Sequence, residues 1–85
     1  MSGRLPVVTL YGRPGCHLCE EALAVVERAR ARVPFELVQV DIESDDELFK
    51  AMLERIPVVA VNGAEHSELF VDEDALVSAL SSPQP

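Results

Sequence analysis

An apolar, β-branched run, Val7-Val8-Thr9-Leu10, leads through Tyr11-Gly12-Arg13-Pro14-Gly15 straight into Cys16-His17-Leu18-Cys19. Downstream of the second cysteine the apolar residues recur at helical spacing, so the segment reads as strand, turn, helix. The two thiols then lie on the first turn of the helix. The leading cysteine gains most there from unpaired backbone N–H groups and the positive end of the helix dipole, which favour its thiolate. Cys19, three residues on, shares its face and is placed to attack a mixed disulfide formed at Cys16. A Cys-x-x-Cys pair in this setting points to dithiol–disulfide exchange.

Strand 1 is expected at about 6–11 and helix 1 at about 16–32, where Leu18, Ala22, Val25, Val26, Ala29 and Val33 form the apolar stripe. Glu20 and Glu21 sit near its start and Arg28, Arg30 and Arg32 near its end, complementing the dipole at both termini. Pro34 stops it. Strand 2 follows in the alternating Phe35-Glu36-Leu37-Val38-Gln39-Val40. Ser44-Asp45-Asp46-Glu47 fits a capping box, starting a second helix at about 45 that runs to about 54. Strand 3 is expected at about 57–61, an Asn62-Gly63 hairpin turn next, strand 4 within about 67–71, and a last helix over about 73–81. Phe49, Met52 and Phe70 read as core, and Met1-Ser2-Gly3 and the final Ser-Ser-Pro-Gln-Pro as frayed tails.

The order is βαβαββα. Its strand–helix–strand start implies a parallel pair and its hairpin an antiparallel one. A single domain over 1–85, with a core of about 6–80, accommodates this as an α/β fold: one four-stranded mixed sheet with three helices on its two faces.

Composition bounds the rest. Hydrophobic residues make up 48% of the 85, with only one Tyr and three Phe, so the core is aliphatic. No apolar run approaches the ~20 residues of a membrane span, and residues 1–15 lack the apolar stretch of a signal peptide, so the expected compartment is the cytoplasm. Two cysteines there suggest catalysis, sensing or metal binding rather than a permanent staple. The net charge of −8 is uneven. Residues 1–32 set five arginines against three glutamates, and the remainder sets Lys50 and Arg55 against twelve acids. That balance excludes nucleic-acid binding through a basic surface.

With these elements placed, the chain resembles the thioredoxin-fold superfamily on its glutaredoxin side. The residues that carry the resemblance are Leu10-Tyr11-Gly12-Arg13-Pro14-Gly15-Cys16-His17-Leu18-Cys19-Glu20, Val40-Asp41-Ile42, Arg55-Ile56-Pro57-Val58 and the Phe70 to Leu76 spacing. They are similar to a small bacterial-type glutaredoxin-like family. The resemblance implies a thioredoxin-like fold of glutaredoxin type and a thiol–disulfide oxidoreductase serving electron transport and cell redox homeostasis. By position, Cys16 matches the attacking cysteine and Cys19 the resolving one. Ile56 and Pro57 match the pair beside the active site in which the proline is cis and the preceding backbone pairs with substrate. Arg13 matches a basic position that helps hold a glutathione carboxylate. No bound cofactor is implied. The implied partners are disulfide-containing proteins or small thiols, with glutathione or a thioredoxin-reductase-type enzyme as reductant, acting on a monomer.

The chain departs from glutaredoxins in two places. His17-Leu18 stands where they carry Pro-Tyr, and Leu69-Phe70-Val71-Asp72-Glu73-Asp74 stands where they carry a Gly-Gly and an Asp that grip glutathione. The acids of that stretch oppose a carboxylate-bearing thiol wherever they face it. Some readings stay open from the residues alone. His17 is either a cation beside Cys16 or an exposed, unpaired residue of the first turn, and Tyr11 either flanks the dithiol or packs on the core. Competing functions are a metal or iron–sulfur site through Cys16 and Cys19, for which only His17 and His66 remain as other soft ligands, and a redox-sensing interaction module without fast exchange.

Overall fold

Three breaks, at Pro34, at Asp41 and at Asn62-Gly63, set the lengths of the elements in the computed structural model, which describes residues 5–81. The tails expected at Met1-Ser2-Gly3 and over 82–85 lie outside the described residues. Strand β1 spans Val7–Gly12, helix α1 His17–Arg32, β2 Glu36–Asp41, α2 Asp46–Met52, β3 Val58–Val61, β4 Ala64–Glu68 and α3 Glu73–Ser81. A 3-10 turn, Ile42–Ser44, joins β2 to α2.

The sheet order is β2-β1-β3-β4, with β1 parallel to β2 and antiparallel to β3, and β3 antiparallel to β4. This is the mixed four-stranded α/β architecture read from the element order. Side chains alternate across the two central strands, so neighbours in sequence enter different cores. Val8, Leu10 and Val59 join Ala22, Val26, Ala29, Phe35 and Leu76 in the layer shared with α1 and α3. Val58 turns to the other face and packs with Cys19, Ile42 and Ile56, against Tyr11, Leu48, Phe49 and Met52. A central strand covered on both faces has no polar side to show, hence the unbroken Val58-Val59-Ala60.

Helix α1 ends as Pro34 requires. A proline disfavours helical angles in the residue before it, and Val33 is extended, its N–H closing the last turn on the Ala29 carbonyl at 2.9 Å.

Several boundaries and one core assignment differ from the sequence reading. The cap of α2 is Asp45, not Ser44: Asp45 Oδ1 accepts from the N–H groups of Glu47 and Leu48 at 2.8 and 3.2 Å. Ser44 is used one turn earlier, donating to the Asp41 carbonyl while Asp41 caps the 3-10 turn that buries Ile42. Strand β4 starts at Ala64, not 67, because both turn residues adopt positive φ (Asn62 51°, Gly63 85°), and such a two-residue turn returns the chain into register at once. The strand then bulges at His66, since Val59 pairs Ser67 while Ala60 pairs Glu65. It stops where Leu69 takes a positive φ of 68°. That early stop throws Phe70 outward, and its side chain is 70% exposed rather than in the core.

Candidate functional site

Cys16 and Cys19 form a disulfide at the carboxyl end of β1, with Cα atoms 5.2 Å apart. Cys16 is the N-cap of α1, extended at φ −91° and ψ 109°, one residue before the helix expected to begin with it. Its Sγ accepts the N–H of Cys19 at 3.1 Å. A sulfur in the cap position thus does what a capping oxygen ordinarily does, meeting one of the donors that a helix leaves unpaired. The two sulfurs differ in access. Cys16 is half-buried, whereas Cys19 is only 8% exposed among Ile42, Ile56 and Val58.

Two glycines shape the approach. Gly15 turns the chain into the helix with φ 78°, in the region that favours glycine. Gly12 serves a different need: a Cβ there would stand 3.1 Å from Cys19 Sγ and 3.2 Å from its Cβ, so a side chain would oblige Cys19 or β1 to shift by a few tenths of an ångström. Tyr11 and Cys16 each pack against the second core, to which Cys19 belongs, so Tyr11 lies on the core that buries the second cysteine. Ile56 and Pro57 are buried, and their peptide bond is cis. The Ile56 N–H donates to the Met52 carbonyl at 3.0 Å, so it is committed within the chain. Leu69 donates to the carbonyls of both Arg55 and Pro57, at 3.0 and 2.8 Å, fastening the end of β4 beside the proline.

The basic residues next to the disulfide are each held by an acid. Arg13 bonds Glu43 Oε2 through Nε at 2.9 Å and through a terminal nitrogen at 2.8 Å, and its guanidinium lies 5.7 Å from the centre of the Phe49 ring. His17 has an 81% exposed side chain, but its Nε2 lies 2.8 Å from Glu21 Oε2, so it is exposed and paired rather than exposed and unpaired. A cleft of ≈ 350 Å³ on the Cys19 side takes Arg13, Glu20 and Asp41 into its wall. A second, ≈ 440 Å³, runs past Cys16, Leu53, Glu54, Ile56 and Leu69 with Arg13 at its head.

The sequence reading named Cys16, Cys19, Arg13, Tyr11, His17, Ile56 and Pro57, and these residues do converge on one end of the sheet. It missed Glu43, which reaches Arg13 across thirty positions of sequence and leaves no local trace. It also missed Leu69 and the outward Phe70, which lines a shallow groove with Leu18 and Val25. Two adjacent apolar residues just beyond a strand end were the available signal. For metal binding, no three or more His, Cys, Asp or Glu residues are grouped to hold an ion among the described residues. His66 stands on β4, the edge strand two places from β1. No helix among the described residues is long and apolar enough to cross a membrane.

Solved structures of similar fold are found among other proteins. Protein Ne2328 of Nitrosomonas europaea superposes with a TM-score of 0.80 at 30% identity, covering 95% of this chain and 98% of that one. Protein XcR50 of X. campestris gives 0.74 at 30% identity over 89% and 99% of the two chains. A thioredoxin of Halobacterium salinarum gives 0.67 at 21% identity, covering 99% of this chain and 81% of its own, a likeness of fold. The Glutaredoxin-like domain (DUF836) matches residues 7–81, nearly the whole described chain. By that match, and by a dithiol at the mouth of a thioredoxin-type sheet, the chain belongs to the glutaredoxin-like family of the thioredoxin-fold superfamily.

Proposed function

We propose that this chain is a thiol–disulfide oxidoreductase working by a dithiol mechanism. The observation that carries the reading is the asymmetry of the pair: a reachable Cys16 at the cap of a sixteen-residue helix, bonded to a buried Cys19 one turn on. In the reduced protein, the N–H that now meets Cys16 Sγ and the dipole of α1 would hold the Cys16 thiolate. That thiolate attacks a target disulfide R–S–S–R′. The Cys16–S–R bond forms, the target bond breaks, and R′S⁻ leaves and takes a proton from solvent. Cys19, deprotonated, attacks Cys16 Sγ and expels RS⁻, so two electrons have passed to the target and the Cys16–Cys19 disulfide remains.

Re-reduction runs through the same adduct. One donor thiolate bonds Cys16 and releases Cys19, and a second removes the first as a donor disulfide. Disulfide-bearing proteins or small thiols are the expected substrates, and the expected setting is a monomer in the cytoplasm, where dithiols of this kind cycle and contribute to redox homeostasis.

The test is direct. Cys16→Ser should abolish exchange, and Cys19→Ser should accumulate a mixed disulfide on Cys16, both followed by mass spectrometry of alkylated protein. A Cys19→Ser protein that traps nothing would remove the mechanism. Equilibration in thiol redox buffers should place the midpoint between roughly −180 and −270 mV, and one below about −300 mV would point to a structural bond instead.

A further inference from the structure

We propose that the Arg13–Glu43 pair makes this dithiol selective by charge, so that its partners and its reductant are thiols and disulfides carrying no net negative charge near the sulfur, and glutathione is disfavoured. The inference rests on the exchange reading above and narrows its substrate class.

The argument starts from the two clefts that give access to the disulfide. Their charged residues are Arg13, Glu20, Asp41 and Glu54: a single cation against three carboxylates. That cation is spoken for. Both of its contacting nitrogens converge on one oxygen of Glu43, and Phe49 covers its plane. The two side chains are 38% and 40% exposed with Phe49 in place, less solvated than a pair standing free on the surface. His17, the other basic side chain next to Cys16, is met by Glu21. An incoming carboxylate therefore finds Arg13 and His17 already met by acids and further carboxylates along the clefts, while a cationic group is drawn by that field and a neutral one is indifferent to it.

Glu43 is the residue on which this selectivity turns. It follows Asp41, whose side chain accepts the Glu43 N–H at 2.8 Å, so the 3-10 turn presents Glu43 to Arg13 from a fixed backbone. Replacing it by glutamine keeps a hydrogen-bond acceptor of the same size, removes the charge and leaves Arg13, in the lining of both clefts, a cation without its opposing carboxylate.

The experiment is reduction of the oxidised protein by three small thiols: uncharged 2-mercaptoethanol, cationic cysteamine and anionic 3-mercaptopropionate. Rates are taken per thiolate from acid-quenched, alkylated samples, for the wild type and for Glu43→Gln. Dividing each variant rate by its wild-type rate cancels the intrinsic nucleophilicity of the thiol. Relative to the uncharged thiol, that quotient should rise roughly 3- to 5-fold for the anionic thiol and fall by a similar factor for the cationic one, since the charge removed is the one that bonds Arg13, which lines both clefts. The separation should shrink between about 0.01 M and about 1 M salt, where the screening length falls to ~3 Å. Glu36→Gln, the same charge change at the opposite end of β2, should give one common quotient for all three thiols. Equal quotients for the three thiols in Glu43→Gln, or the same spread in Glu36→Gln, would overturn the charge filter while leaving exchange intact. A disulfide that 2-mercaptoethanol fails to reduce would overturn the exchange reading and the filter together.

Discussion

Gly12 shows how one hydrogen atom in place of a side chain governs the redox pair. Its site has no positive φ to require glycine; what requires it is Cys19, whose Sγ would lie 3.1 Å from an added Cβ. That contact is tighter than nine in ten real Cβ contacts, and Cys19 has little room to yield among Ile42, Ile56 and Val58. Gly12→Ala is expected to destabilise the oxidised protein by about 1–3 kcal/mol, read from denaturant midpoints, and to slow reduction of the disulfide. Unchanged stability would mean that β1 and α1 can part at this point. At the same scale, Cys19 owes its low exposure to its place on the inner face of α1, and that burial leaves Cys16 as the sulfur an incoming thiolate meets first.

Elements are joined by two polar clamps that the sequence does not announce. The first is Asn62. Beyond forming the turn, its Oδ1 accepts the Val7 N–H at 2.9 Å and its N–H donates to the Val7 carbonyl at 2.8 Å, tying the hairpin to the start of β1. Asn62→Ala loses the side-chain bond and puts alanine at positive φ, an expected loss of about 1–3 kcal/mol in the unfolding free energy. Asn62→Gly, which relieves φ but not the bond, should lose less.

The second clamp joins α1 to α3. Arg28 and Arg32 both bond Glu73, and Arg32 also bonds Asp74. The hydrogen bond from Arg28, then that from Arg32, hold the Glu73 carboxyl below its usual 4.5, and those acids, Asp74 first, raise Arg32. A carboxyl depressed in the folded state adds stability above its unfolded value and loses it as the pH falls through the folded one. Glu73→Gln should therefore lower stability by a constant amount above pH 4.5, and the gap to wild type should close progressively below it. Thermal melts across pH 2 to 7 at low salt read this, and the gap should narrow at high salt.

The whole molecule depends on an aliphatic core that is small for its job. Leu76 is fully buried and brings α3 onto α1, Phe35 and the sheet. Leu76→Ala should remove about 2–5 kcal/mol, a large share of the ~4–13 kcal/mol that a chain this short commands, and unfold much of the population on mild heating. The dithiol should respond as a consequence rather than as a cause. Exchange should persist at low temperature, where the variant folds, and vanish along the unfolding curve. Charge belongs to this scale as well, since the arginine-rich α1 and the acidic second half are brought together by the fold, which is why the clamps fall where they do.

By itself the sequence determined what depends on neighbours along the chain. A first strand at about 6–11, Cys16 and Cys19 on one helical turn, Pro34 as a stop and Asn62-Gly63 as a tight turn all follow from backbone sterics and local hydrogen bonding, and element order then admits one mixed sheet. The capping residue of α2 and the start of β4 escaped it because two acceptors or two registers compete within a few residues, and packing of Ile42 and the bulge at His66 decides between them. Only the tertiary structure determined which charges meet. Glu43 reaches Arg13 from thirty residues away and Glu73 reaches Arg28 from forty-five, separations over which no periodicity operates. The same holds for the exposure of Phe70 and the burial of Cys19: each depends on what the rest of the chain places against it, a matter of three-dimensional contact rather than of spacing.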